Sequence, residues 1–216
     1  MLRYLEDLIS TSVNATDGEI GKVCNFLFDD QSWMIRYLVV DVGGWLARRD
    51  VVISVSAIDQ PNWKTKTCCV HLTKEQVRNS PPVDSKKPVS RQQEIAIREY
   101  YGWPAYWEDF NNAEFPPLRA PVGREFPVNT REDPYLQSAE DVNRYEVADD
   151  DRVIGHLENF IVDEASWHIG YLDVKTGDWL HHRSMLVPTR WVISVSWPDR
   201  RLNLDHARKK ALAAGG

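Results

Sequence analysis

Apolar positions along this chain fall into short runs, broken every few residues by polar turns, and no long helical stripe joins them. From Ile20 to Phe28 the sequence is rich in β-branched and aromatic residues, which suit a pleated strand. Asp29-Asp30-Gln31-Ser32 reads as a polar turn. Met34 to Val42 is a second strand, and Gly43-Gly44 supplies the positive φ of a tight turn. Val51-Val52-Ile53 predicts a third strand and Thr67 to Leu72 a fourth, with a short opening strand near residues 10–13. Short strands joined by turns predict an antiparallel sheet closed into a small barrel, since closure removes the exposed edges of so small a unit.

The same pattern returns 134 residues later. Asp17 to Leu46 reads DGEIGKVCNFLFDDQSWMIRYLVVDVGGWL, and Asp151 to Leu180 reads DRVIGHLENFIVDEASWHIGYLDVKTGDWL. They align without a gap, with identities at Gly21/Gly155, Asn25/Asn159, Phe26/Phe160, Asp29/Asp163, Trp33/Trp167 and Tyr37/Tyr171, among others. A repeat of about 80 residues exceeds a solenoid unit and matches a small domain.

Each copy ends in a helix signal. Thr73-Lys74-Glu75-Gln76 has the form of a capping box, and Asp205 stands at the matching place as an N-cap for a helical tail to Ala214. Between the copies, nine of the twelve prolines fall from Pro81 to Pro134, which marks a connector. Ser90-Arg91-Gln92-Gln93 opens a helix over 91–100. After it, Tyr100, Tyr101, Trp103, Tyr106 and Trp107 are too aromatic for a flexible tether. This segment is expected to pack onto a barrel, and residues 111–134 to be extended or mobile.

Strand alternation places Trp33, Ile35 and Tyr37 on one face, with Leu38 and Val40 on the other. On the preceding strand Ile20, Phe26 and Phe28 share a face opposite Val23 and Leu27. The second copy repeats this with Ile154, Phe160 and Val162 opposite Leu157 and Ile161. Both faces are apolar, so one fills a barrel and the other needs cover. Two arrangements satisfy this. The barrels bury their outer faces on each other as a pseudo-twofold pair, or helix 91–101 with Trp103 and Trp107 covers one patch and leaves the other for a partner.

Composition narrows the chemistry. A net charge of −6 argues against generic phosphate-backbone binding, and no apolar run approaches a membrane span. The acidic start, without an apolar core, is not expected to be a signal peptide. Cys24, Cys68 and Cys69 form neither a disulfide framework nor a C-x-x-C site, and fit small apolar residues in a reducing cytoplasm. The aspartates lack an EF-hand ladder, the serines lie in alternating I-S-V-S strings rather than a nucleophile elbow, and no phosphate loop or dinucleotide fingerprint occurs. His156, His168, His181 and His182 could gather on a divalent metal, but have no histidine counterparts in the first copy.

Together the repeated D-G-E-I-G-K-V-x-N-F-L-F-D-D-x-x-W-x-I-R-Y-L-V-V-D-V pattern, the G-x-W-L that follows it and the Pro81–Trp103 joiner resemble the PRC-barrel family. The second copy departs at Arg152, His156, Gly170 and Lys175, where the first has Gly18, Lys22, Arg36 and Asp41. The resemblance implies a small six-stranded barrel, as in the cytoplasmic domain of the photosynthetic reaction centre H subunit and in a ribosome maturation factor. It implies no shared catalytic residues.

The sequence therefore predicts a mainly β chain of two tandem small antiparallel barrels with short terminal helices. Residues 1–79 and 138–216 are the barrels, and 80–137 the partly helical connector. No catalytic residue, cofactor or metal ligand is assigned. The expected role is that of a non-catalytic, cytoplasmic protein-binding adaptor or accessory module. Its partner would be another protein and not a nucleic acid, membrane contact would be peripheral at most, and an oligomer is compatible. The candidate interface is Ile20, Phe26, Phe28, Ile154, Phe160, Val162, Trp103 and Trp107. A small-ligand or metal sensor, and a peripheral factor of a photosynthetic or electron-transport complex, are the alternatives.

Overall fold

The computed structural model describes residues 1–43, 49–59, 61–84, 88–105, 134–149, 152–177 and 183–205. The first repeat contains β1 (Leu2–Tyr4), β2 (Ser12–Ala15), β3 (Gly18–Asp29), β4 (Met34–Asp41), β5 (Asp50–Ser54), β6 (Thr67–Cys69) and helix α1 (Lys74–Arg78). The connector supplies β7 (Val89–Ser90) and helix α2 (Arg91–Tyr101). The second repeat contains β8 (Pro134–Ser138), α3 (Ala139–Val142), β9 (Glu146–Asp149), β10 (Arg152–Asp163), β11 (His168–Thr176), β12 (Arg183–Pro188), β13 (Val192–Ser196) and β14 (Arg201–Leu204).

A shift of 134 maps one repeat onto the other, strand for strand: β2 onto β9, β3 onto β10, β4 onto β11, β5 onto β12 and β6 onto β14. In both, the two long strands form an antiparallel pair, flanked on one side by a third antiparallel strand and on the other by a short strand that continues in parallel to the last one.

The expected closed barrels do not form from the described strands, which make one open hydrogen-bonded network through both repeats. The short leading strands join the two repeats. β1 does not join its own repeat but pairs with β10, Leu2 opposite Asp163 and Tyr4 opposite Ile161. β8 does the reciprocal, Leu136 opposite Asp29 and Ser138 opposite Leu27. Each repeat thus lends its first strand to the other, and hydrogen bonding crosses the sequence boundaries at both ends.

β-Bulges also correct the expected strand faces. Cys24 is the extra residue between the Val23–Val40 and Asn25–Val39 pairs, and Arg36 between Leu27–Tyr37 and Phe28–Ile35. An extra residue reverses the alternation beyond it. Val23 therefore lies with Ile20, Phe26 and Phe28, and Leu38 and Val40 lie with Trp33 and Ile35, while Tyr37 turns to the opposite face with Leu27 and Val39. The second repeat bulges at the same places, Glu158 and Gly170. Gly21 and Gly155, beside further bulges at Ile20 against β2 and Ile154 against β9, answer a steric demand: a Cβ would sit 2.0 Å from the Asp41 carbonyl oxygen and 2.3 Å from that of Lys175.

One apolar core runs through both repeats, from Leu8, Phe26 and Ile35 to Phe160, Leu172 and Leu202. Such side chains contribute roughly 1.5–3 kcal/mol each when fully buried. Both capping boxes form, Thr73 with Gln76 and Ser90 with Gln93. The opening strand lies at 12–15 rather than 10–13, and the last strand of the first repeat stops at Cys69. Cys68 is buried and Cys69 exposed, as alternation requires. The expected tail helix, Gly44 and residues 111–133 lie outside the described residues. Among the described residues no helix is long and apolar enough to cross a membrane.

Candidate interaction faces

The axis between the repeats is marked by two tryptophans. Asp29 and Asp163 open matching turns, each accepting from backbone N–H groups just beyond it. At the end of each turn Trp33 and Trp167 take a left-handed backbone, φ 57° and 60°. That conformation is uncommon for a bulky residue. It aims each carbonyl across the axis: Trp167 O accepts from Ile35 N at 2.9 Å, and Trp33 O from Ile169 N at 2.8 Å.

Of the eight sequence-derived interface residues, Ile20, Phe26, Phe28, Phe160 and Val162 lie buried in the shared core, and Ile154 packs at its margin. Phe28 and Phe160 meet across the repeats, ring centroids 5.5 Å apart. Trp103 packs elsewhere, stacked on Tyr101 at 4.2 Å and tilted against Tyr37 at 6.4 Å. Trp107 lies outside the described residues.

Opposite the core, the first repeat's outer face carries Leu27, Tyr37, Val39 and Val52, joined by Leu136 of β8. Helix α2 seals it with Ile97. The helix begins at the Ser90 cap and ends at Gly102 in the left-handed conformation, φ 68°. Its contact is polar as well as apolar. The Tyr37 hydroxyl donates to Glu94 Oε1 at 2.9 Å, Arg98 Nη1 donates to the Tyr37 oxygen at 3.1 Å, and Arg91 Nη1 holds Glu94 Oε2 at 2.6 Å. Glu94 is fully buried, so a carboxylate there requires these partners. Burial, followed by the nearby Glu94 charge, pushes the Tyr37 phenol well above its usual range and keeps it a hydrogen-bond donor. Tyr100 ties α2 to the Gln76 carbonyl at 2.8 Å.

The corresponding face of the second repeat is built from Ile161, Tyr171, Asp173 and Leu186, with Leu2 of β1 in the place of Leu136. No helix covers it among the described residues. Val52 is 2% exposed and Leu136 0%, whereas Leu186 is 51% and Leu2 55% exposed. Asp173 stands where the first repeat has Val39, and accepts from the Ser184 hydroxyl. Glu158, in the place of Cys24, lies 3.9 Å from Lys175. Trp63 and Trp197 also match at the same shift. Trp63 packs edge-on against Trp167 at 5.7 Å, but Trp197 is 40% exposed. Strand alternation alone missed Leu2, Tyr171, Leu186 and Trp197. Lining the repeats up residue by residue, apolar Val39 against acidic Asp173, is the signal that finds this difference.

Polar groups sit at the strand exchange. Asp30 accepts from Gln137 Nε2 at 2.8 Å, and burial raises its carboxyl to about 6 against the lowering effect of that bond. The symmetry-related pair is Arg3 with Glu164. Asn25 accepts from the Glu140 amide at 3.0 Å and donates to Ser138 Oγ at 2.8 Å, fixing α3 of the second repeat on β3 of the first.

The two described histidines of the predicted group lie apart. His156 lies opposite Lys175 and His168 opposite Asp163, at the two ends of β10. Burial lowers the His168 imidazole. His181 and His182 lie outside the described residues. Among the described residues no group of three or more His, Cys, Asp or Glu side chains is placed to hold a metal ion. The Cys24 and Cys68 thiols are pushed up to about 12, by burial first, which makes them poor nucleophiles.

A duplicated, mainly β chain whose bent strand pairs carry short helices is a β-scaffold protein with two related outer faces. The family model of the PRC-barrel domain matches residues 2–67 and 137–205, more than half the chain and once per repeat. The chain belongs to that family. A search of curated proteins returned no significant match.

Proposed function

We propose that this protein is a non-catalytic binding module, an adaptor or accessory factor that presents its second repeat to another protein. One observation carries this reading. Equivalent outer faces of the two repeats differ in cover: Val52 lies under α2, while Leu186 and Leu2 are half open to water. Large apolar side chains grouped on one open face favour a protein contact. The acidic composition directs that contact toward protein rather than nucleic acid. The Cys24 and Cys68 thiols are buried and His156 and His168 lie apart, so these groups give a catalytic role no support.

The test is quantitative affinity capture from the native cell with the wild-type chain and with Leu2→Asp/Leu186→Asp. The reading expects a stoichiometric protein partner with the wild type and its loss with the variant. Capture of no stoichiometric partner, or of one unaffected by the variant, contradicts it.

A further inference from the structure

The strand exchange is made twice, and its two junctions differ in charge. A shift of 134 carries Arg3 of β1 onto Gln137 of β8, and Asp30 onto Glu164. At one junction Arg3 meets Glu164, cation against carboxylate. At the other Gln137 Nε2 donates to Asp30 Oδ2 at 2.8 Å, and the amide brings no charge. Gln137 is 2% exposed. Its Oε1 is buried and has no hydrogen-bond partner among the described residues.

We propose that the Asp30–Gln137 junction is a proton-dependent clasp: a neutral Asp30 carboxyl holds β8 on β3, and loss of its proton loosens β8 while β1 stays on β10. A carboxylate only accepts, so it can use only the N–H side of the Gln137 amide. A carboxylic acid also donates. Its O–H can satisfy the Gln137 oxygen while its other oxygen keeps the Nε2 bond, and a buried acceptor left alone is costly. The neighbouring charges favour the neutral form. Asp29, the next residue, is a second carboxylate that opposes ionisation of Asp30, and Arg36 of β4 lies against Asp29 at 3.7 Å. β8 contributes no charged residue, and His168 of β11 faces Asp163 instead. Burial, working against the Gln137 bond, brings Asp30 to about 6. β8 also carries Leu136 of the apolar seat beneath α2, and β7 pairs with its far edge, Val89 opposite Leu136. The clasp therefore bears on the seat of α2 as well as on the exchange itself.

The test is hydrogen exchange with mass spectrometry on the full chain across pH, with rates corrected for the intrinsic pH dependence of amide exchange. In the wild type, opening at Leu136–Ser138 is expected to rise about tenfold between about pH 5 and pH 7.5, the sign and size that a carboxyl raised by folding gives. Ile161–Asp163, paired with β1, should stay within about threefold over the same range, because the Arg3–Glu164 junction needs no proton. Asp30→Asn imitates the neutral acid and is expected to hold β8 at its low-pH protection throughout. Gln137→Arg, which copies the other junction, is also expected to remove the pH dependence. Circular dichroism of each variant checks that the fold is kept.

A flat profile at Leu136–Ser138 in the wild type, or a rise that persists in Asp30→Asn, overturns the clasp. An equal rise at Ile161–Asp163 overturns it too, since Asp30 would then act on the whole fold rather than on one junction.

Discussion

Trp33 and Trp167 bind each other's strands: the carbonyl of each accepts the amide two residues beyond the other, at 2.8 and 2.9 Å. This reciprocal pair sits where Met34 and His168 face each other, the single point at which β4 and β11 touch in register. Around it the leading strands change places, β1 onto β10 and β8 onto β3, and Phe28 meets Phe160. The duplication therefore gives one body with internal pseudo-twofold symmetry and a shared core. The asymmetry lies outside, where α2 covers the first repeat's face and, among the described residues, no helix covers the second's.

Glycines in close contact with a neighbouring backbone should separate sharply from a glycine in open space. Gly21→Ala places a methyl 2.0 Å from the Asp41 carbonyl oxygen, so backbone must shift. A loss of about 1–3 kcal/mol in denaturant unfolding is expected, and a similar loss for Gly155→Ala. Gly170→Ala, where an added Cβ meets nothing within 4 Å, should stay within about 0.5 kcal/mol of the wild type. Equal effects at Gly21 and Gly170 would contradict the close approach of the Asp41 carbonyl to Gly21.

Helix α2 depends on a buried charge. Glu94→Ala removes the acceptor of both Tyr37 and Arg91, while Arg98 keeps its bond to the Tyr37 oxygen. Breaking such a pair from one side costs about 3–5 kcal/mol. Chemical denaturation should show a loss of that size, and limited proteolysis should become faster within α2. Unchanged stability and protease resistance would mean that α2 does not rely on this network.

Asp30 gives a pH signature of unusual sign. Its carboxyl rises from the ordinary 3.8 to about 6, mainly by burial. The folded chain then holds a proton that the unfolded chain has released, so this group's stabilisation is complete below about pH 4 and is lost as pH rises through 6. Asp30→Asn should flatten that slope between pH 4 and 7 and raise stability at neutral pH by roughly 1–2 kcal/mol. The check is a set of thermal or urea unfolding curves across pH. A variant less stable than wild type at pH 7 would show that the Gln137 bond to the carboxylate outweighs its desolvation.

Much of this was legible beforehand. The 134-residue repeat, the long strand pair, both capping boxes and helix 91–101 follow from identities, β-branched runs and cap residues, all of which are local signals. The bulges were not, because Cys24 and Arg36 look like ordinary strand residues until their neighbours across the ladder are known. They decide the faces, which is why Tyr37 was assigned with Ile35 yet lies beneath α2. Strand exchange was equally hidden: Leu2-Arg3-Tyr4 is too short to announce itself, and sequence does not say which repeat supplies a backbone partner. The open face needed the comparison of Val39 with Asp173 and the placement of α2, neither of which periodicity contains.

The exchange of leading strands can be read directly by hydrogen exchange with mass spectrometry on the full chain and on a chain lacking residues 1–4. If β1 belongs to the second repeat's sheet, the truncation should speed exchange around Ile161–Asp163, more than 150 residues away in sequence, while Leu27–Asp29 stays protected by β8. Faster exchange at Leu27–Asp29 with Ile161–Asp163 unchanged would place β1 in its own repeat and contradict the account.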